Sequence, residues 1–232
     1  MPTDEHDDLV RRAPLFAGLS DSELARVSRD LHRRHYGGGE TIFHQGDAGD
    51  AIYLIVSGRV RIYVPTEEGQ EVSVIFYGPG GMFGEMALVD QKPRSATAEA
   101  MEDTTVLAMS STRFYQHLQG NYQIALNLMQ LLSGRLRATT DQMRAMASLD
   151  VSRRTIQALL RLAGQQGSPA PEGIRLGRLT QQELASLVGS SRESVNRALR
   201  ALARKGLVAV LGGQIVVRRL GELAKLLGEE GL

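Results

Sequence analysis

The sequence predicts an α+β chain in three parts: an amino-terminal β-roll of jelly-roll type, a long helix, and a carboxy-terminal winged helix-turn-helix. Three observations lead there. Short runs rich in β-branched and aromatic residues, broken by glycines, fill residues 36–109. A helical apolar period with no proline and only Gly134 follows over Asn121–Asp150. Two short amphipathic segments separated by Gly189 come next, with a further pair of β-rich runs behind them. The expected divisions are 1–118, 119–150 and 151–232.

After an amphipathic opening, Leu19 to Leu31, strands are expected at Thr41–Phe43, Ala51–Val56, Val60–Val64, Val72–Phe76, Ser95–Ala100 and Thr104–Met109. Eleven of the 25 glycines lie between positions 37 and 84, at the breaks between these runs, including Gly46, Gly49, Gly58 and Gly69. That placement favours tight turns over long loops. Within this region stands Gly81-Met82-Phe83-Gly84-Glu85-Met86-Ala87-Leu88, followed shortly by Arg94-Ser95-Ala96. Gly84 permits a sharp backbone turn and a close approach to a ligand, and Glu85-Met86-Ala87-Leu88 can begin a short helix whose free amide groups favour an anion. Arg94 supplies a guanidinium suited to two parallel bonds to a phosphate, and Ser95 adds a hydroxyl. Glu85 would repel phosphate, so its sensible partner is a hydroxyl group on the same ligand.

From about Thr112 the period is helical. Met129, Leu132, Leu136, Thr139, Met143 and Met146 recur at alternating spacings of three and four, the seam of a coiled coil. A second copy in a parallel two-fold dimer would cover such a stripe, and so would the chain's own barrel. Thr139 is the polar position in it, followed by Thr140. Residues 151–163 form another helix, and Gly164–Gly173 is expected as a loop from its Pro and Gly content.

Thr180-Gln181-Gln182-Glu183 has the form of a capping box, starting a helix that Gly189 ends. Ser190-Ser191-Arg192-Glu193 is expected as a second capping box, starting a helix to about Lys205. On that helix Val195, Ala198, Leu199 and Leu202 share one side, and Arg192, Glu193, Asn196, Arg197 and Arg200 the other. Three arginines on one exposed arc suit the major groove of DNA, where they meet guanines and phosphates. Leu207–Leu211 and Gln214–Val217 flank Gly212-Gly213 as a hairpin, the wing.

Composition narrows the function. Residues 1–150 carry 14 basic and 20 acidic side chains, a balance of −6; residues 151–232 carry 13 and 6, a balance of +7. The second part is therefore the one expected to meet a polyanion. With no cysteine there is no disulfide framework, thiolate-bound iron-sulfur cluster or thiol switch. The five histidines, His6, His32, His35, His44 and His117, lack the paired spacing of a ligand cluster, so neither a metal nor a haem sensor is expected. No nucleophile and base stand together, so no enzyme and no catalytic residue are expected. No run reaches the roughly 20 apolar residues that span a bilayer. The opening, Met1 to Asp8, is acidic rather than signal-like, so a cytoplasmic protein without a membrane partner is expected.

The Phe-Gly-Glu-Met-Ala-Leu and Arg-Ser-Ala segments resemble the phosphate-binding cassette of the cyclic-AMP receptor protein (CRP/FNR) family of bacterial transcription regulators, and the resemblance runs over nearly the whole chain. It implies a homodimer with 3′,5′-cyclic AMP as allosteric ligand. The amides of Gly84 and Glu85, with Arg94 and Ser95, would hold the cyclic phosphate and the Glu85 side chain the ribose, with Met86 and Ala87 completing the ligand-binding set. In the family a Thr-Ser pair on the long helix contacts the adenine from both subunits; here Thr139-Thr140 stands in that place. Ser191-Arg192-Glu193-Ser194-Val195-Asn196-Arg197 resembles the family's recognition helix. By that resemblance Arg192, Glu193 and Arg197 read base edges of an inverted repeat of TGTGA-like half-sites. Thr180, Gln181, Ser191, Asn196 and Arg200 complete the DNA-facing set, although Gln181 stands where the family's receptor has an arginine. RNA polymerase is an implied further partner. A regulator of this architecture that is independent of ligand, or that senses another small molecule, is the alternative.

Overall fold

The computed structural model describes residues 3–65, 71–176, 179–211 and 214–228. The expected turns at Gly69 and at Gly212-Gly213 lie outside those residues. The chain divides into two compact units, Met1–Arg137 and Ala138–Leu232.

The first unit opens with α1 (Thr3–Arg12), a 3₁₀ turn (Pro14–Phe16) and α2 (Asp21–Arg29). Ser20 begins α2 through a reciprocal capping box with Glu23. Eight strands follow: β1 (His32–Tyr36), β2 (Thr41–Phe43), β3 (Ala51–Ser57), β4 (Val60–Pro65), β5 (Glu71–Tyr77), β6 (Met82–Phe83), β7 (Thr97–Ala100) and β8 (Thr104–Ser110). They form two four-stranded antiparallel sheets, in the orders β1-β8-β3-β6 and β2-β7-β4-β5. The continuous apolar run of β3 has a simple cause: both of its faces are covered. Ala51, Tyr53 and Ile55 face the interior between the sheets, with Phe83, Val106, Ala108 and Ala98. Ile52 and Leu54 face outward into a second core with Leu107, Met109 and the helical residues Val10, Leu15, Phe16, Phe114 and Ile124. Successive side chains of a strand point to opposite faces, so burial on both sides removes the polar alternation.

Between β6 and β7 lies α3 (Met86–Val89); after β8 come α4 (Ser111–Gly120) and the long α5 (Tyr122–Ser148). Ser110 caps α4, accepting from the Arg113 amide. Asn127 anchors the start of α5 on the 3₁₀ turn, donating to the carbonyls of Leu15 (3.0 Å) and Ala17 (2.8 Å).

The second unit begins within α5 and continues as α6 (Val151–Gln166), β9 (Ser168–Ala170), β10 (Gly173–Arg175), α7 (Gln181–Val188), α8 (Arg192–Arg204), β11 (Val208–Leu211), β12 (Gln214–Val217) and α9 (Leu220–Gly228). The loop expected over Gly164–Gly173 is not found as such: α6 continues through Gln166, and β9 and β10 pair with each other and join the wing as β11-β12-β10-β9. Pro169 is tolerated because β9 is an edge strand, where a missing amide breaks no interior ladder. The second expected capping box is also displaced by one residue. The amide of Ser190 closes α7 on the carbonyl of Ala185 (3.1 Å), so Ser191 becomes the cap of α8 and accepts from Ser194 (3.3 Å). Glu193 then sits one position too early to reach back.

Candidate functional site

β6 pairs with β3, Tyr53 opposite Phe83, and delivers the chain to Gly84 at φ +86°. A side chain is excluded there twice over. The backbone is left-handed, and a Cβ would lie 2.9 Å from Arg94 Nη1 and 3.2 Å from the Ala51 carbonyl. Glu85 caps α3, whose Leu88 and Val89 amides bond back to the Glu85 carbonyl at 3.0 Å. The amides at the start of the helix have no helical acceptor. Tyr115 fixes the other end by donating to the Leu88 carbonyl at 2.6 Å.

Arg94 is 3% exposed and held on three sides. Nη1 donates to the Gly84 carbonyl (2.6 Å), and Nη2 donates to the Ala51 carbonyl (2.8 Å) and to Asp50 (3.0 Å). Its guanidinium lies 4.2 Å from the centre of the Phe43 ring. Asp50 is largely exposed, so water screens that ion pair and the two carbonyls do most of the fixing. Both terminal nitrogens already bond within the chain, and Nε is buried without a partner.

Glu85 is likewise 3% exposed. Its Oε1 accepts from Arg135 of α5, which also donates to the Met82 carbonyl at 2.5 Å and lies 5.2 Å from the centre of the Tyr77 ring. Burial pushes the Tyr77 hydroxyl up to about 12. Glu85 Oε2 is buried with no partner. The cradle thus holds one orphaned acceptor and one orphaned donor, on Glu85 and Arg94. These suit a ligand that brings a hydroxyl and an anionic oxygen, the chemistry of a ribose phosphate. Ser95 is exposed, its hydroxyl 3.9 Å from the Met86 sulfur; Met86 is half exposed and Ala87 is buried.

The fold brings together Gly84, Glu85, Met86, Ala87, Arg94 and Ser95. Thr139 and Thr140 are exposed on the part of α5 that belongs to the second unit. Arg135, Asp50 and Tyr77 were not among the expected residues. Arg135 stands four positions before Thr139 at the edge of the apolar stripe, a signal that a search for charges bordering the seam would register. Of that stripe, Met129, Leu136, Met143 and Met146 are exposed large apolar residues, whereas Leu132 packs partly on the outer core of the first unit.

In the second unit Thr180 caps α7 with a reciprocal box to Glu183, and Gly189 ends it at φ +63°. A Cβ on Gly189 would come 2.8 Å from the Met146 methyl. Val195, Ala198, Leu199 and Leu202 of α8 are buried, while Arg192, Glu193, Arg197 and Arg200 are exposed and Asn196 is half-buried. Among the described residues none of those three arginines forms an ion pair, so their charge is open to an external anion. Ser191 and Thr180 are exposed at the helix starts and Gln181 is half-buried. No group of three or more metal-ligating side chains occurs among the described residues. No helix among them is long and apolar enough to cross a membrane.

Residues 33–121 match the family model of the cyclic nucleotide-binding domain, and residues 153–226 match that of the Crp-like helix-turn-helix domain. The cyclic AMP receptor protein of Thermus thermophilus is 37% identical over 217 residues, 94% of this chain and 98% of that protein. The CRP-like cAMP-activated global transcriptional regulator of Mycobacterium tuberculosis is 31% identical over 220 residues, 94% of this chain and 98% of that protein. Among solved structures, the catabolite activator protein of Thermus thermophilus aligns at 37% identity with a TM-score of 0.54, covering 93% of this chain and 98% of that one. The c-di-GMP responsive global regulator of Xanthomonas campestris aligns at 30% with a TM-score of 0.72, covering 85% and 99%.

Proposed function

Because the chain belongs to the cyclic-AMP receptor protein (CRP/FNR) family of transcription regulators, with a cyclic nucleotide-binding domain and a helix-turn-helix DNA-binding domain, we propose that it is a cytoplasmic homodimer that binds an inverted-repeat operator in response to cyclic AMP. The observation that carries the ligand reading is the pair of buried, unpartnered atoms of the cradle, Glu85 Oε2 and Arg94 Nε. A cyclic nucleotide satisfies both: its ribose hydroxyl donates to Glu85 and its phosphate accepts from Arg94, Ser95 and the amides of Met86 and Ala87. Thr139 and Thr140 contribute hydroxyls that can donate to and accept from the base.

The exposed stripe of Met129, Leu136, Met143 and Met146, with Leu132 and Thr139, is the proposed seam between two copies. The ligand acts by binding one arrangement of the dimer better than another, and it shifts the equilibrium only by that difference in affinity. The output is Arg192, Glu193 and Arg197 on base edges, with Thr180, Gln181, Ser191, Asn196 and Arg200 on the backbone or neighbouring bases. On the promoter the partner is RNA polymerase. The functional division we retain is 1–118 for ligand, 119–150 for dimerisation and 151–232 for DNA.

A second reading rests on the in-chain bonds of Arg94 and Glu85. A cradle that already engages Arg94 through Gly84, Ala51 and Asp50, and Glu85 through Arg135, suits a regulator that works without nucleotide or senses another molecule. Calorimetry with cyclic AMP, cyclic GMP and cyclic di-GMP separates the two. Saturable heat with cyclic AMP, lost in Arg94→Ala, supports the first reading; silence with every nucleotide supports the second.

A further inference from the structure

The second unit contains a cleft of about 190 Å³, walled by the end of α5, by α6 and by the last turn of α7. Its polar lining is unevenly satisfied. Arg154 reaches the Met146 carbonyl only weakly, at 3.4 Å, and its Nε is buried with no partner. Arg161 is half-buried and, among the described residues, has neither a hydrogen bond nor an ion pair. Partial burial lowers the Arg161 pKa, and no carboxylate among the described residues pairs with it. Gln157 also lines the cleft without a partner, and Gln142 donates to the Leu187 carbonyl at 3.3 Å, a long bond. The carboxylate on the lining, Asp141, is exposed and pairs with neither arginine.

We propose that this cleft is a second effector site that takes a small phosphorylated sugar or polyol. Two guanidinium groups with spare donors on one cleft supply the positive charge and the N–H donors that a phosphate monoester dianion needs. Asp141, Gln142 and Gln157 supply the mixed acceptors and donors that hydroxyl groups need. The site is independent of the cradle and shares none of its residues. Its walls include α7, the first helix of the helix-turn-helix, so an occupant that ties α6 to α7 alters the rigidity of the DNA-reading unit itself.

The test is calorimetry on full-length Arg94→Ala protein, in which the cradle is disabled, with ribose 5-phosphate, ribose and inorganic phosphate as probes. Saturable binding of ribose 5-phosphate is expected, with weaker binding of phosphate and none of ribose. Arg161→Ala should weaken it about tenfold or more, the worth of a charge-assisted hydrogen bond. Because Arg161 makes no internal bond among the described residues, its removal should leave the thermal midpoint in place. Gln157→Leu retains both cations and removes the amide offered to the ligand's hydroxyl groups at nearly constant size; it provides the same test should Arg161→Ala fail to fold, and should weaken binding likewise. No saturable binding of ribose 5-phosphate would overturn the proposal, as would binding unchanged by either variant. Inorganic phosphate or ribose binding as tightly as ribose 5-phosphate would overturn the assigned ligand class.

Discussion

Arg94 ties the cradle together and is the proposed phosphate donor, and its substitution should reveal both roles. It is buried, and it is the donor to the Gly84 and Ala51 carbonyls, so Arg94→Ala should abolish the heat of nucleotide binding and also lower the stability of the first unit by about 1–3 kcal/mol for the stranded carbonyls. Thermal unfolding alongside calorimetry checks both; a variant with unchanged stability and retained affinity contradicts the assignment. Arg135→Ala leaves the Glu85 carboxylate buried and without its counter-charge, a change expected to cost about 3 kcal/mol, read by denaturant unfolding. Gly84, Glu85, Arg94 and Ser95 were legible in the sequence because the residue types and short spacing state their chemistry. Arg135 was not, since its partner lies 50 positions away and only the fold makes the contact. Nor did the sequence show that Arg94 would be turned inward, because backbone carbonyls belong to every residue and leave no mark in composition.

At the scale of elements, α8 is the proposed reader of DNA and α5 the proposed seam of the dimer. Arg192→Ala or Arg197→Ala should each reduce discrimination between operator and altered operator by about 1–3 kcal/mol while weakening binding to unrelated DNA little. Competition gel shifts decide this; uniform weakening on all sequences would place both residues on phosphates. Leu136→Asp on α5 introduces a charge at a position that is 69% exposed in the single chain, so it should leave the monomer folded and abolish the dimer in sedimentation. A variant that remains dimeric would move the seam elsewhere. Helices α5, α7 and α8 and most strands were legible because their apolar period or β-branched runs are strong. β1 was missed because four of its five residues are exposed and polar, giving no alternation, and β6 because two residues are too few for a period. β9 and β10 were hidden by Pro169 and the surrounding glycines, which read as loop until a neighbouring strand, β12, supplies the ladder.

At the scale of the whole molecule, the acidic first 150 residues and the basic remainder place the ligand chemistry and the polyanion chemistry in different parts of one chain. Operator affinity should therefore fall steeply with salt, whereas nucleotide affinity, set by a cradle buried within the first unit, should respond much less. The family comparisons show a cyclic nucleotide-binding domain and a helix-turn-helix DNA-binding domain in one regulator; the account's own claim is that cyclic AMP couples them. The most direct measurement is operator affinity of the wild-type protein at fixed salt, with and without saturating cyclic AMP, with Arg94→Ala measured in parallel. The account predicts tighter operator binding with cyclic AMP for the wild type and no response for Arg94→Ala. Equal affinity of the wild type in both conditions would contradict it.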